Sequence, residues 1–215
     1  MRAGGRSGAA PAVTLALAAR AHTANGRRRD DPEAIAILER AARDLSGSRP
    51  GSLLASPSVT REGVLLAEPA SSSALLDTLI ALSVSLAPVR ATFCAAVLPL
   101  PRSAAIERAV QGLDDADPRA PRVVALAPDR DELLGALAAL VLEAYRVMTV
   151  RQRQVVSLVK EIGSQEDVAR HLGVTRQAVN QCLGSAGWPH LREAERTLRR
   201  HVARSAGETP GDAGL

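Results

Sequence analysis

Apolar and polar positions change period repeatedly along the first 128 residues. The run Val13-Thr14-Leu15-Ala16-Leu17 predicts a strand over about 12–20. Arg2 and Arg6 precede it, an outline shared with secretory leaders, but Pro11 and Thr14 interrupt the apolar stretch and favour a strand. Asp31-Pro32 then opens a helix, with Asp as N-cap and Pro at the first helical position. Ile35, Leu38, Ala42 and Leu45 share one face of it, and Gly47 marks its end. The segments 52–59 and 63–67 read as two strands joined by a turn at Thr60-Arg61-Glu62. Leu75, Leu76, Leu79, Leu82 and Leu86 recur with helical period over 72–86, and Pro88 stops that helix. From Val89 to Leu98 the period returns to two, with Val89, Ala91, Phe93, Ala95 and Val97 on one face. A third helix over 103–113, an acidic loop at Asp114-Asp115-Ala116-Asp117 and a short strand Val123-Val124-Ala125-Leu126 follow. This β-α-β-β-α-β-α-β order predicts an α+β fold, a ferredoxin-like α/β sandwich with helices on one side of the sheet.

The period stays helical from Asp131 onward. Leu133, Leu134, Leu137, Leu140, Val141 and Tyr145 form a broad apolar stripe on a helix ending near Met148. Intradomain packing is its first use, and a dimer contact its second. Thr149 with Gln152 has the form of a capping box and opens the next helix, which Gly163 ends. Ser164 caps a short helix that stops at Leu172. Gly173-Val174 makes a turn, and Thr175 caps a third helix running to about Ser185. Ala169 is small enough for a close helix crossing, and Gly173 tolerates the positive φ of a tight turn. With Val179 six residues beyond Gly173, these positions have the spacing of a helix-turn-helix. Val168, Leu172, Val174, Val179 and Leu183, with Cys182 as a small hydrophobe, are its expected core. A last helix over about 190–204 carries Leu191, Ala194 or Glu195, Leu198 and Val202 inward, with Trp188 as a core anchor.

The chain therefore divides into a disordered tail (1–10), an α+β domain (11–128), a connector helix (129–148), an all-α helix-turn-helix domain (149–205) and a second tail (206–215). Charge supports that division. Residues 149–205 hold ten Arg or Lys against five acids, a net +5, while the other residues hold 17 against 18, a net −1. A polyanion-binding module has this asymmetry. Only Phe93, Tyr145 and Trp188 are aromatic, so Leu, Val, Ile and Ala build the core.

The third helix of the motif is the element expected in the major groove of double-stranded DNA. Its solvent face carries Thr175, Arg176, Gln177, Asn180 and Gln181. Gln and Asn match the adenine edge, Arg the guanine edge, and Thr a phosphate or thymine methyl. Gln165 and Arg170 are candidate phosphate contacts. Arg192, Arg196, Arg199, Arg200 and Arg204 read as a solvated basic face with the same potential use. One helix-turn-helix reads few base pairs, so a homodimer is the expected assembly.

The residues Met148-Thr149-Val150-Arg151-Gln152-Arg153-Gln154-Val155-Val156 and Gly173-Val174-Thr175-Arg176-Gln177-Ala178-Val179 resemble the helix-turn-helix of sigma-factor region 4 and of response-regulator output domains. With Ala186-Gly187-Trp188 and Leu191-Arg192-Glu193-Ala194-Glu195, the C-terminal part is similar to that of SatD-family bacterial proteins. The segment Leu86-Ala87-Pro88-Val89-Arg90-Ala91-Thr92-Phe93 resembles part of that family's preceding α+β domain. The resemblance implies an α+β domain followed by a DNA-binding module. It departs at Val59-Thr60-Arg61-Glu62-Gly63-Val64-Leu65-Leu66, where the family's Gly-Asp-x-Phe-Gln-like motif is missing.

No catalytic constellation is visible. His22, His171, His190 and His201 lack metal spacing, as do Cys94 and Cys182, and no glycine-rich phosphate loop joins a strand to a helix. Asp114, Asp115 and Asp117 read as a solvated turn, and Glu62 and Glu68 as isolated acids near the strand pair. The expectation is a cytoplasmic transcriptional regulator without enzyme activity, metal, cofactor or membrane contact. Two other readings remain: a degenerate nucleotide-processing α+β enzyme with an accessory helix-turn-helix, and an adaptor whose helix-turn-helix contacts RNA polymerase.

Overall fold

The computed structural model describes residues 13–22, 31–48, 51–116, 123–126 and 132–208. The protein is α+β. In chain order the elements are β1 (Thr14–His22), α1 (Pro32–Ser48), β2 (Ser58–Val59), β3 (Leu65–Ala67), α2 (Ser72–Ser85), β4 (Arg90–Leu98), α3 (Arg102–Asp114) and β5 (Val123–Leu126). Then come α4 (Glu132–Val147), α5 (Val150–Ile162), α6 (Gln165–Leu172), α7 (Arg176–Ser185) and α8 (Trp188–Ser205). The expected tail 1–10, the three arginines 27–29 and the 117–118 end of the acidic loop lie outside the described residues.

The sheet has the order β2-β3-β1-β4-β5. Its first four strands are antiparallel, and β5 joins β4 in parallel. The β2–β3 hairpin is shorter than the alternation suggests. Beyond it, an isolated bridge between Leu53 and Pro69 continues the pairing. At its tip Thr60 N–H donates to the Val64 carbonyl (2.8 Å), the tight turn expected at 60–62.

Helices cover both faces of the sheet rather than one. On the first face Leu15, Leu17, Ala19, Phe93 and Val97 pack under α1 and α2. On the second, Ala16, Ala18, Cys94 and Ala96 meet Ala105, Ala109 and Leu113 of α3. Alternation identifies one apolar face readily. A second face built of alanine does not stand out, yet its small side chains are what let α3 approach closely.

Helix α2 is buried nearly all round, with Thr78 and Ile80 on the two flanks of its leucine stripe and Ser83 within it. A helix apolar on every side belongs inside a structure. Here α1 and the sheet lie against one side of α2, and α4 and α8 against the other. The expected connector, α4, is thus a packed helix touching α2, β5 and α8. One apolar core runs without a break from Leu17 and Phe93 through Leu75 and Val141 to Val179 and Leu198.

Residues 206–208, expected in the second tail, are held against the fold. Gly207 (φ 69) ends α8, with Glu208 N–H donating to the Ala203 carbonyl (2.9 Å) and Gly207 N–H to that of Arg204 (3.0 Å). This reverse turn aims the Glu208 carboxylate at the start of α2, where Ser72 N–H (3.1 Å) and Ser72 Oγ (2.5 Å) donate to it. Residues 209–215 lie outside the described residues.

Candidate nucleic-acid interface

Local chemistry sets each boundary of α5, α6 and α7. Thr149 Oγ1 accepts from Gln152 N–H (3.2 Å) while Gln152 Oε1 accepts from Thr149 N–H (2.8 Å), a closed capping box. Ser164 Oγ accepts from Asp167 N–H (3.3 Å), and Thr175 Oγ1 from Ala178 N–H (3.1 Å). Between α6 and α7, Gly173 sits at φ 64, ψ 32. Val174 N–H donates to the Ala169 carbonyl (3.0 Å) and Gly173 N–H to that of Arg170 (3.2 Å). These paired bonds form a Schellman turn, and the left-handed position within it strongly favours glycine.

Beneath the turn lie Val155, Val156, Val168, Ala169, Val179 and Leu183, all buried, with Leu172, Val174 and Cys182 partly covered. Helix α7 packs on α5, α6 and α8. Gln152 Nε2 donates to Ser185 Oγ (3.2 Å), linking the start of α5 to the end of α7.

The outward side of α7 is open. Arg176, Gln177, Asn180 and Gln181 are exposed, and the helix carries no acid. Thr175 is exposed as well, but its hydroxyl is committed to the cap. Of the two phosphate candidates on α6, Gln165 is half-buried, and Arg170 is exposed with Nη1 2.6 Å from Asp167 Oδ1. An ion pair this open is worth at most about 1 kcal/mol and yields readily to a stronger anion. Arg192, Arg196, Arg200 and Arg204 are exposed on α8, as the basic-face reading requires. Arg199 departs from that reading: it turns inward.

Its partners form a polar cluster that the sequence did not reveal. Arg199 Nη2 lies 2.6 Å from Asp77 Oδ1 on α2, and Nη1 donates to Ser73 Oγ (2.5 Å) and to the Ser73 carbonyl (3.1 Å). Glu195, 4% exposed, accepts from Tyr145 Oη and from Lys160 Nζ (2.8 Å), with Arg199 Nη2 at 3.7 Å. Lys160 Nζ also donates to Tyr145 Oη (3.1 Å) and stands over the Tyr145 and Trp188 rings, 5.4 and 5.8 Å from their centroids. Two cations thus meet two carboxylates where α5 and α8 join α2 and α4. Burial, then the Glu195 charge, pushes the Tyr145 phenol well above its ordinary 10.0, so it stays a donor. The available signal was Glu195 itself, an acid on the apolar seam of α8.

The rest of the described residues offer little chemistry. Glu68, on the strand pair, is held by Arg102 Nε and Nη2. Asp114 pairs with Arg20 (2.9 Å). Burial raises the Cys94 thiol from 9.0 to about 12, which removes it as a nucleophile. Among the described residues no three His, Cys, Asp or Glu side chains are grouped to hold a metal. A cleft between Phe93, Leu142 and Arg146 has a volume of only about 10 Å³, room for a single water. No described helix is single, long and apolar enough to cross a membrane.

No family model, curated protein or solved structure matches the chain.

Proposed function

We propose that the protein is a cytoplasmic bacterial regulator of transcription that binds double-stranded DNA through α7. The observation that carries this reading is the open face of Arg176, Gln177, Asn180 and Gln181, free of acids and held on a capped helix after a glycine turn. Arg176 and the two Gln side chains then read base edges, with Asn180 beside them. Arg170 and Gln165 hold phosphates, which supply most of the affinity and none of the sequence choice. The likeness of 148–156 and 173–179 to sigma-factor region 4, and of the C-terminal part to SatD-family proteins, supports the same role.

Residues 11–128 then form the assembly or sensing half. The antiparallel order β2-β3-β1-β4 favours a ferredoxin-like origin for it, with α3 and β5 added. An enzyme role for this half draws no support from Glu68, whose carboxylate is occupied by Arg102.

Selection of bound duplexes from a random DNA pool tests the proposal. Arg176→Ala and Gln177→Ala each weaken binding to the selected site by about fivefold to a hundredfold and blur its consensus. Both variants binding with wild-type affinity and selectivity would remove α7 from this role. If the wild-type chain selects no sequence but captures RNA polymerase, the adaptor reading replaces it.

A further inference from the structure

The outward side of α4 is apolar along its whole length. Leu133, Leu140 and Val147 are 76, 68 and 65% exposed. Ala136, Leu137 and Ala144, all half-buried, fill the same stripe. The spacing 133–137–140–144–147 alternates four and three residues, the repeat of a helix seam that meets another helix. The opposite side of α4 is already used: Ala138, Val141, Leu142 and Tyr145 are buried in the core. Intradomain packing therefore explains the inner half of the helix and leaves the outer half unexplained.

We propose that this stripe is the contact between two copies of the chain, with the α4 helices antiparallel and the two-fold axis at Leu140. Three observations favour that occupant. First, the large side chains along the stripe stand mostly exposed, and the segments outside the described residues hold only Met1 and Leu215 as large apolar side chains that could cover them. Second, the stripe is complementary to its own reverse. An axis at Leu140 sets Leu133 against Val147 of the second copy and Leu137 near Ala144, large against small at each level. A parallel pairing would set Leu137 on Leu137 and Ala144 on Ala144, crowding one level and hollowing the other. Third, with only Leu133, Leu140 and Val147 standing 65–76% exposed on each copy, the contact is small, at or below the low end of specific interfaces (about 1,200 Å² in total), so a weak, micromolar dimer is expected. Charge does not oppose it, because Glu143 and Arg146 at the border neutralise each other (2.5 Å).

This contact stands whether or not α7 reads DNA, and its test does not use DNA. Sedimentation equilibrium of the full chain at about 100 μM gives a dimer, and Leu140→Arg gives a monomer with unchanged circular dichroism. Cysteine cross-linking reads the register. Leu140→Cys oxidises to a linked dimer. Leu133→Cys alone does not, since antiparallel pairing holds its two copies about 20 Å apart. Leu133→Cys mixed with Val147→Cys links across the pair. A monomeric wild-type chain, or a dimer that survives Leu140→Arg, overturns the proposal. So does self-linking of Leu133→Cys as fast as that of Leu140→Cys. A wild-type monomer that instead cosediments with mixed neutral and anionic phospholipid vesicles would assign the stripe to a lipid surface and likewise overturn it.

Discussion

At the scale of single residues, the Lys160–Glu195–Arg199–Asp77 cluster is the place where one substitution tells most. Glu195 is almost fully buried, so its charge depends on Lys160 at 2.8 Å and on the Tyr145 hydroxyl. Lys160→Met leaves that carboxylate without its nearest cation. Breaking a fully buried pair costs about 3–5 kcal/mol, but Lys160 is 22% exposed and Arg199 stands nearby, so the expected loss is about 2–3 kcal/mol. Adding Glu195→Met to Lys160→Met removes the stranded charge and restores part of the loss, because Arg199 keeps Asp77 at 2.6 Å. Urea denaturation of the two variants measures both values. A double variant less stable than Lys160→Met alone would mean that the carboxylate does not need the lysine. Two other residues fix the alkaline limit. The folded state holds Cys94 and Tyr145 in their protonated forms beyond their ordinary values of 9.0 and 10.0. Above about pH 9 the unfolded chain therefore binds fewer protons than the native one, and stability falls as pH rises. Melting temperatures from about pH 8 to 11 should decline, and Tyr145→Phe should flatten the upper part of that decline. An equal slope in Tyr145→Phe would exclude the phenol as a source.

At the scale of elements, what was legible in the sequence is what is decided locally. Thr149, Ser164 and Thr175 begin α5, α6 and α7 as their side chains require, and Gly173 takes the left-handed turn. The strand at 90–98 followed from alternation alone. Less legible were features that depend on partners distant in sequence. The alanines of β1, β4 and α3 carry no strong apolar signal, so the second covered face was missed. Arg199 was assigned to solvent because its neighbours on α8 are solvated, although α2 brings Asp77 to it from 122 residues away. The candidate interface was legible because its residues follow the cap of a single helix, whereas the cluster behind it draws on four helices. Gly184 offers a test within α7. It lies on the outward side, in the last turn of α7, and a methyl group added there meets nothing within 4 Å. Gly184→Ala should stabilise the fold by about 0.5–1 kcal/mol, through the lower entropy of the unfolded chain. If α7 lies in a groove, the same methyl should also weaken DNA binding. Thermal melts and a binding titration of one variant thus separate fold from function, and wild-type affinity with raised stability would leave that position outside any contact.

At the scale of the whole molecule, the question is whether the C-terminal helices unfold with the sheet or apart from it. A division at 148 treats α4 as a tether. Against that stand a core continuous from Phe93 to Leu198, the packing of α8 on both α2 and α4, and the bonds of Arg199 and Glu208 to the first turns of α2. Tethered domains touch through modest, polar surfaces and melt separately. Here the junction is buried and balanced in charge, so removing α8 would expose the back of α2. A single cooperative transition is expected. Trp188 is the sole tryptophan and lies at this junction, so its fluorescence reports the C-terminal helices, while far-ultraviolet circular dichroism reports the whole chain. The two urea transitions should coincide, the usual test of two-state unfolding. Asp77→Ala and Ser73→Ala should shift both probes together. Should fluorescence change at lower urea than dichroism, the α2–α8 contact would be an interface between independent domains, and α7 would be free to reorient on the sheet. Coincident curves would instead make the sheet half a rigid mount, so that any signal bound there reaches α7 through α2 and α8 rather than through a flexible link.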